Sequence, residues 1–298
     1  MGISRSHQGW WAPQLSSAPN MVTTMTDLIA IVRLRVLLIA SGTVLAVQAL
    51  AGMIVLAQTS GAGVAPLGVV AFNQNTLLRV DIRVGVVVLL ALLGATFLAF
   101  ATPPLFVPYA RKLAINRHAA RWIIFSLTSS ITVFLTAQLN GITAIGTLVL
   151  LYAATSTMTL FSVLQERMPV AAPASEDSLP VRAPHGVPPS MLPLSFGAAI
   201  GIVPWGIIAF HEIAASITGA GPSVAVRVIT LLNLVAAFAF AVIQWREQRR
   251  SFGGTSALSD DARPQGDPDI HGERTFIILS TASVSVFAWA VLLLAECA

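Results

Sequence analysis

Seven runs of apolar residues, each about the length of a bilayer-crossing helix, constrain this chain more than any other feature. They cover roughly 28–57, 84–108, 122–140, 142–165, 191–215, 224–245 and 275–295. A helix rises 1.5 Å per residue, so about 20 apolar residues cross the hydrocarbon core. Inside that core every backbone N–H and C=O must be bonded within the protein, which leaves the helix as the only form for such runs. Charged residues make up 10% of the chain, against about 25% in an ordinary soluble domain. The expected fold class is therefore an all-α, multi-pass membrane protein whose first partner is the lipid bilayer. Nothing in the sequence points to nucleic acid.

Punctuation between the runs is specific. Asn140-Gly141 marks a tight turn between spans three and four. Pro103-Pro104 should end or kink span two, and Pro204 in span five is a kink of the kind membrane helices tolerate. Residues 1–27 read as a disordered tail ahead of a helical domain over 28–298, with Met21 as an alternative start. The segments 168–190 and 251–269, rich in Pro, Ala, Ser, Gly and Asp, read as flexible linkers. The loop 58–83 differs: β-branched runs flank an Asn-rich turn in GVVAFNQNTLLRVDIRV, which predicts a short hairpin.

Arginine and lysine set the direction. With the N-terminus cytoplasmic, one side collects Arg5, Arg33, Arg35, Arg111, Lys112, Arg117, Arg121, Arg167 and Arg182, followed by Arg246, Arg249, Arg250, Arg263 and Arg274. The other side receives Arg79, Arg83 and Arg227. The expectation is a cell-membrane protein with its N-terminus inside and its C-terminus outside.

Several kinds of chemistry lack their residues. Cys297 is the single cysteine, and the histidines His7, His118, His185, His211 and His271 show no ligand spacing, so no metal site is expected. No nucleophile is spaced with a base, and no series of carboxylates or histidines runs through the spans, which argues against an enzyme and against a pump. Lys112 is the only lysine, in a loop beside span three.

The spans carry recognisable segments in order: RWIIFSLTSS (121–130), AQLNGI (137–142), STMTLFSVLQE (156–166), AIGIVPW (199–205), VIQW (242–245), GERTFIILS (272–280) and FAW (287–289). In order and spacing these resemble heliorhodopsins, microbial rhodopsins of inverted topology, over about residues 28–296. The resemblance implies a seven-helix bundle, a homodimer and a hairpin in the first outer loop. It also implies retinal held as a protonated Schiff base on a lysine of span seven, with a glutamate of span three as counterion. Members are regarded as light sensors or regulators of partner proteins rather than pumps.

This chain departs from that pattern where the chemistry sits. The family form LSxxAKS reads Leu279-Ser280-Thr281-Ala282-Ser283-Val284-Ser285, which puts Val284 at the lysine position. The form RWxEYS reads Arg121-Trp122-Ile123-Ile124-Phe125-Ser126, which puts Ile124 at the counterion position. Phe97 stands where the resemblance implies a histidine in span two, and span one has no histidine. A Schiff base needs a primary amine, and the guanidinium of arginine stays protonated. A glutamate without its cation would be an unpaired charge in the bilayer, so paired loss is physically coherent.

Candidate pocket-lining residues are Phe97, Ser126, Ser130, Trp205, Phe238, Trp245, Ser280, Ser283 and Trp289. Core packing or an interfacial tryptophan belt explains the aromatic members equally well. Interhelical hydrogen bonds explain the hydroxyls of spans three and seven, although the two hydroxyl clusters would face each other in a bundle. The expected function is a sensory or regulatory module without covalent retinal, meeting a cytoplasmic partner through its inner loops. A second reading holds retinal or another apolar polyene non-covalently, and a third is a small-molecule channel or carrier.

Overall fold

The computed structural model describes residues 21–59, 68–72, 75–114, 118–167, 191–253 and 270–297. The elements are α1 (Met21–Thr59), β1 (Gly68–Phe72), β2 (Asn75–Val80), α2 (Ile82–Ala101), α3 (Pro103–Ala114), α4 (Ala119–Leu139), α5 (Ile145–Arg167), α6 (Leu192–Ile217), α7 (Val224–Gly253) and α8 (Ile270–Cys297). Among the described residues every helix except α3 is long and apolar enough to cross a membrane, giving seven candidate spans. The architecture is a seven-helix membrane bundle with one two-stranded antiparallel sheet.

Three boundaries differ from expectation. Helix α1 begins at Met21, so residues 21–27 are helical rather than tail. Residues 1–20 and the linker 168–190 lie outside the described residues, whereas 251–253 continue α7 and the rest of that linker lies outside as well. The second apolar run is two helices rather than one kinked helix. Thr102 is extended (φ −68°, ψ 144°), because the ring of Pro103 excludes the helical region from the residue before it. Arg35 on α1 then donates from Nε to the orphan carbonyl of Ala101 at 2.9 Å, and its guanidinium stacks 5.5 Å from the Phe106 ring centroid on α3. A cation at the C-terminal end of α2 also complements its dipole.

Two apolar cores result. The larger joins α1, α2, α3 and α8 with Ile124 and Leu135 of α4, and Leu45, Leu89, Leu90, Leu93 and Phe287 are fully buried within it. Helices α1 and α2 cross closely at Gly42 and Gly94, where a side chain on Gly94 would meet the Gly42 carbonyl at 3.1 Å. Such small residues let backbones approach in membranes, where lipid supplies no hydrophobic drive between helices. The smaller core gathers Val133, Leu148, Leu151 and Ile208 of α4–α6 with Val70 of the hairpin. Helix α7 packs mainly on α8 and touches α4 and α6 only sparsely.

The expected hairpin is present, with Gly68 opposite Val80 and a register shift between Val70 and Ala71. It docks on the α4–α5 turn: Ala71 N–H donates to the Thr143 carbonyl at 2.8 Å, and Gln138 Nε2 donates to the Val69 carbonyl at 3.3 Å. The turn itself uses Gly141 at φ 81°, a left-handed conformation that glycine adopts without a Cβ penalty.

Candidate functional site

Helix α4 carries a hydroxyl on nearly every turn, and helical geometry decides what those hydroxyls can do. Thr128, Thr132 and Thr136 each donate to the carbonyl four residues back, at 2.8 to 2.9 Å. Ser129 donates likewise to Phe125, and Thr155 on α5 to Leu151 at 2.8 Å. A hydroxyl has one hydrogen and two acceptor lone pairs. With the hydrogen spent on the backbone, each presents its oxygen to neighbours as an acceptor.

Thr128, Ser129, Thr132 and Thr155 line a cavity of about 160 Å³ in the middle of the bundle. Trp205 of α6, Asn233 and Phe238 of α7, and Ser280, Ser283 and Val284 of α8 complete its specific features. The hydroxyls of α4 and α8 thus face one space. The lining holds no charged side chain. It is bounded toward one end by three rings, Phe125, Phe240 and Phe276, with centroids 4.8 to 5.9 Å apart. Toward the hairpin end a polar belt ties α4 to α7. Asn140 donates to Thr230 Oγ1 at 2.8 Å, and Asn233 donates to Thr136 Oγ1 at 3.1 Å.

The candidate lining residues separate cleanly. Trp205, Phe238, Ser280 and Ser283 border the cavity; Phe97, Ser126, Ser130, Trp245 and Trp289 do not. Ser130 instead hydrogen-bonds Ser156 of α5 at 2.9 Å, Trp289 packs on the larger core, and Trp245 is 43% exposed. Phe97 is fully buried in the larger core and joins Ile124, Arg121 and Glu273 around a void of only about 10 Å³. Val284 and Ile124 are both buried members of that core.

A covalently held retinal requires an amine at this cavity, and the lining contains none. Lys112, the only lysine of the chain, is exposed near the end of α3. About 160 Å³ is close to the roughly 150 Å³ of a cavity that admits benzene, and below the roughly 300 Å³ at which small-molecule pockets begin. The residues present do not fit a Schiff-base chromophore.

Beyond the aromatic layer, at the end of the bundle where α3 lies, the structure assembles a cluster that sequence reading missed. His118 Nδ1 is 3.2 Å from Glu273 Oε1, and both side chains are buried. Arg121 pairs with Glu247 at 2.9 Å while stacking 4.8 Å from the Phe276 ring centroid. Trp122 Nε1 donates to Glu166 at 2.6 Å, and the His118 backbone N–H donates to the other oxygen of that carboxylate at 3.2 Å. Glu166 thereby satisfies the first turn of α4 and complements its dipole. Burial on its own would lower the His118 pKa, but the hydrogen bond and charge of Glu273, with the charge of Glu166, outweigh it and raise the pKa. Burial, with Glu273 beside it, holds the Tyr109 phenol well above its usual range. Five helices meet in this cluster. Among the described residues no three His, Cys, Asp or Glu side chains form a metal-binding group.

At the hairpin end, Asp81 caps α2 and pairs with the buried Arg83 at 2.7 Å. The hydrogen bond from Arg83 lowers the Asp81 pKa. His211 and Glu212 of α6 are half-buried; no described partner meets His211 Nδ1 or Glu212 Oε1.

Comparison with known proteins gives one family: the heliorhodopsin family model matches residues 20–295. No curated protein matches the chain.

Proposed function

The chain belongs to the heliorhodopsin family, and we propose that it is a member without a retinal Schiff base, acting as a non-pumping sensory or regulatory membrane module. One observation carries this reading: α8 contains no amine, and Val284, at the position the family resemblance gives to lysine, is a buried apolar residue. Ile124, at the counterion position, is buried in the same core, so the two losses compensate each other. The carboxylates and the histidine of the α3 end are engaged with Arg121, Trp122 and one another. They sit at one end of the bundle, which supports a structural latch rather than a proton path or a catalytic centre.

The proposed orientation puts the α3 end in the cytoplasm, since Arg111, Lys112, Arg121 and Arg246 gather there. Partner proteins would meet the inner loops, and the protein would assemble as the homodimer that the family resemblance implies. Adding retinal to the purified protein tests the reading. No visible band sensitive to hydroxylamine should form, and borohydride should leave no retinyl group on α8. A trapped adduct would overturn it.

The cavity beside Trp205 favours a second reading, in which an apolar ligand is held without a covalent bond.

A further inference from the structure

We propose that α3 is an interfacial helix that docks an anionic phospholipid headgroup, of the phosphatidylglycerol kind, through Arg111 and Lys112, with Leu105 and Val107 sunk at the acyl boundary. The proposal does not depend on whether α8 binds retinal.

The helix is held at one rotation. Phe106 and Leu113 anchor its inner side, 8% and 1% exposed. The Tyr109 ring lies 5.6 Å from Phe100 and 6.2 Å from Phe106 between centroids, and Arg35 of α1 stacks on Phe106. Successive residues step about 100° around a helix. The face turned away from the anchor therefore holds Pro104, Leu105, Val107, Pro108, Arg111 and Lys112, and all six are exposed.

That face divides along its length. The first half exposes Leu105 and Val107, 45% and 49%, beside the prolines. The last turn exposes both cations. Only Thr102 separates α3 from α2, a candidate membrane span, so the apolar half begins at the edge of the hydrocarbon. Apolar side chains at that level are stabilised by acyl chains. Arg111 and Lys112 follow about 15 Å further along the helix, and their long stems let the charged heads reach the phosphate layer.

Charge decides which lipid. Among the described residues no carboxylate pairs with Arg111 or Lys112. Glu166, Glu247 and Glu273 at this end are engaged with Trp122, Arg121 and His118. The phosphate of phosphatidylcholine carries its own choline cation, which opposes two more cations beside it. Phosphatidylglycerol brings a net negative charge, and each basic residue near an anionic surface contributes about fivefold in affinity. The apolar half, continuous with a membrane span, favours a lipid over a free phosphate or an acidic soluble protein.

For the test, the full-length protein is released from mixed phosphatidylcholine–phosphatidylglycerol nanodiscs into neutral detergent, and retained lipid is counted by native mass spectrometry. Phosphatidylglycerol should be enriched over its share of the disc. Arg111→Gln and Lys112→Gln should each lower that enrichment about fivefold. Arg79→Gln with Arg227→Gln removes the same charge from exposed positions at the hairpin end and should leave it intact. Hydrogen exchange of α3 inside the nanodisc should slow when phosphatidylglycerol replaces phosphatidylcholine. Absence of enrichment, an equal loss in both double variants, or displacement of the lipid by inorganic phosphate would overturn the proposal. Exchange of α3 at one rate in both lipids would leave its face to a soluble partner and overturn it too. The lipid comparison uses the natural protein, so misfolding of a variant cannot shelter it.

Discussion

Val284 of α8 and Ile124 of α4 are buried in one continuous apolar cluster, 6% and 9% exposed, together with Phe97 of α2. Neither side chain could carry a charge there cheaply. Introducing Ile124→Glu alone leaves an unpaired ion and should destabilise the protein by about 3–5 kcal/mol. Val284→Lys alone should be costly for the same reason. The double variant should lose less than the sum of the two, which thermal unfolding in detergent would read as a coupling between the sites.

The pair His118–Glu273 predicts a pH dependence. The His118 pKa is raised in the folded protein, so folding is favoured by its protonation. That stability is fully present below the unfolded histidine value of about 6.5 and is lost as pH rises through the higher folded value. The melting temperature should therefore fall as pH rises above about 6.5. His118→Gln should flatten that slope while leaving the acid-side behaviour of the carboxylates in place.

Glu166 satisfies two donors on α4, the Trp122 indole and the His118 backbone. Glu166→Ala strands both and should cost about 2–4 kcal/mol. Glu166→Gln keeps an acceptor oxygen and should cost less. Chemical denaturation of both variants, read by tryptophan emission, would separate them.

Asn140 and Asn233 supply hydrogen bonds that join α4 to α7 toward the hairpin end. Interhelical hydrogen bonds in membranes are worth about 0.6 kcal/mol on average and about 1.7 at most. Asn140→Ala should fall in that range and increase hydrogen exchange in α7 more than in α2.

The spans, the hairpin and the Asn140-Gly141 turn were legible because apolar length and turn chemistry are local signals. The break at Thr102 was half legible: Pro103-Pro104 announced a disruption, but whether a chain kinks or starts a new helix depends on what receives it, here Arg35 and Phe106 from a distant element. The α3-end cluster was not read, because His118, Glu166, Glu247 and Glu273 stand at the ends of four different spans and meet only in three dimensions. A signal did exist: alternating topology puts all four ends on one side of the membrane. Among the aromatic candidates, Trp205 and Phe238 reached the cavity, while Trp245 and Trp289 fell on faces that helix rotation, invisible in composition, turned elsewhere.

Borohydride trapping decides whether α8 can hold retinal covalently. The natural protein and the Ile124→Glu, Val284→Lys double variant are incubated with all-trans-retinal, reduced with borohydride and analysed by peptide mass. No retinyl group should appear on α8 of the natural protein, whereas the double variant should give a retinyl lysine at position 284, with a visible band before reduction. A reducible, coloured retinal adduct on the natural protein would show that it does form a Schiff base.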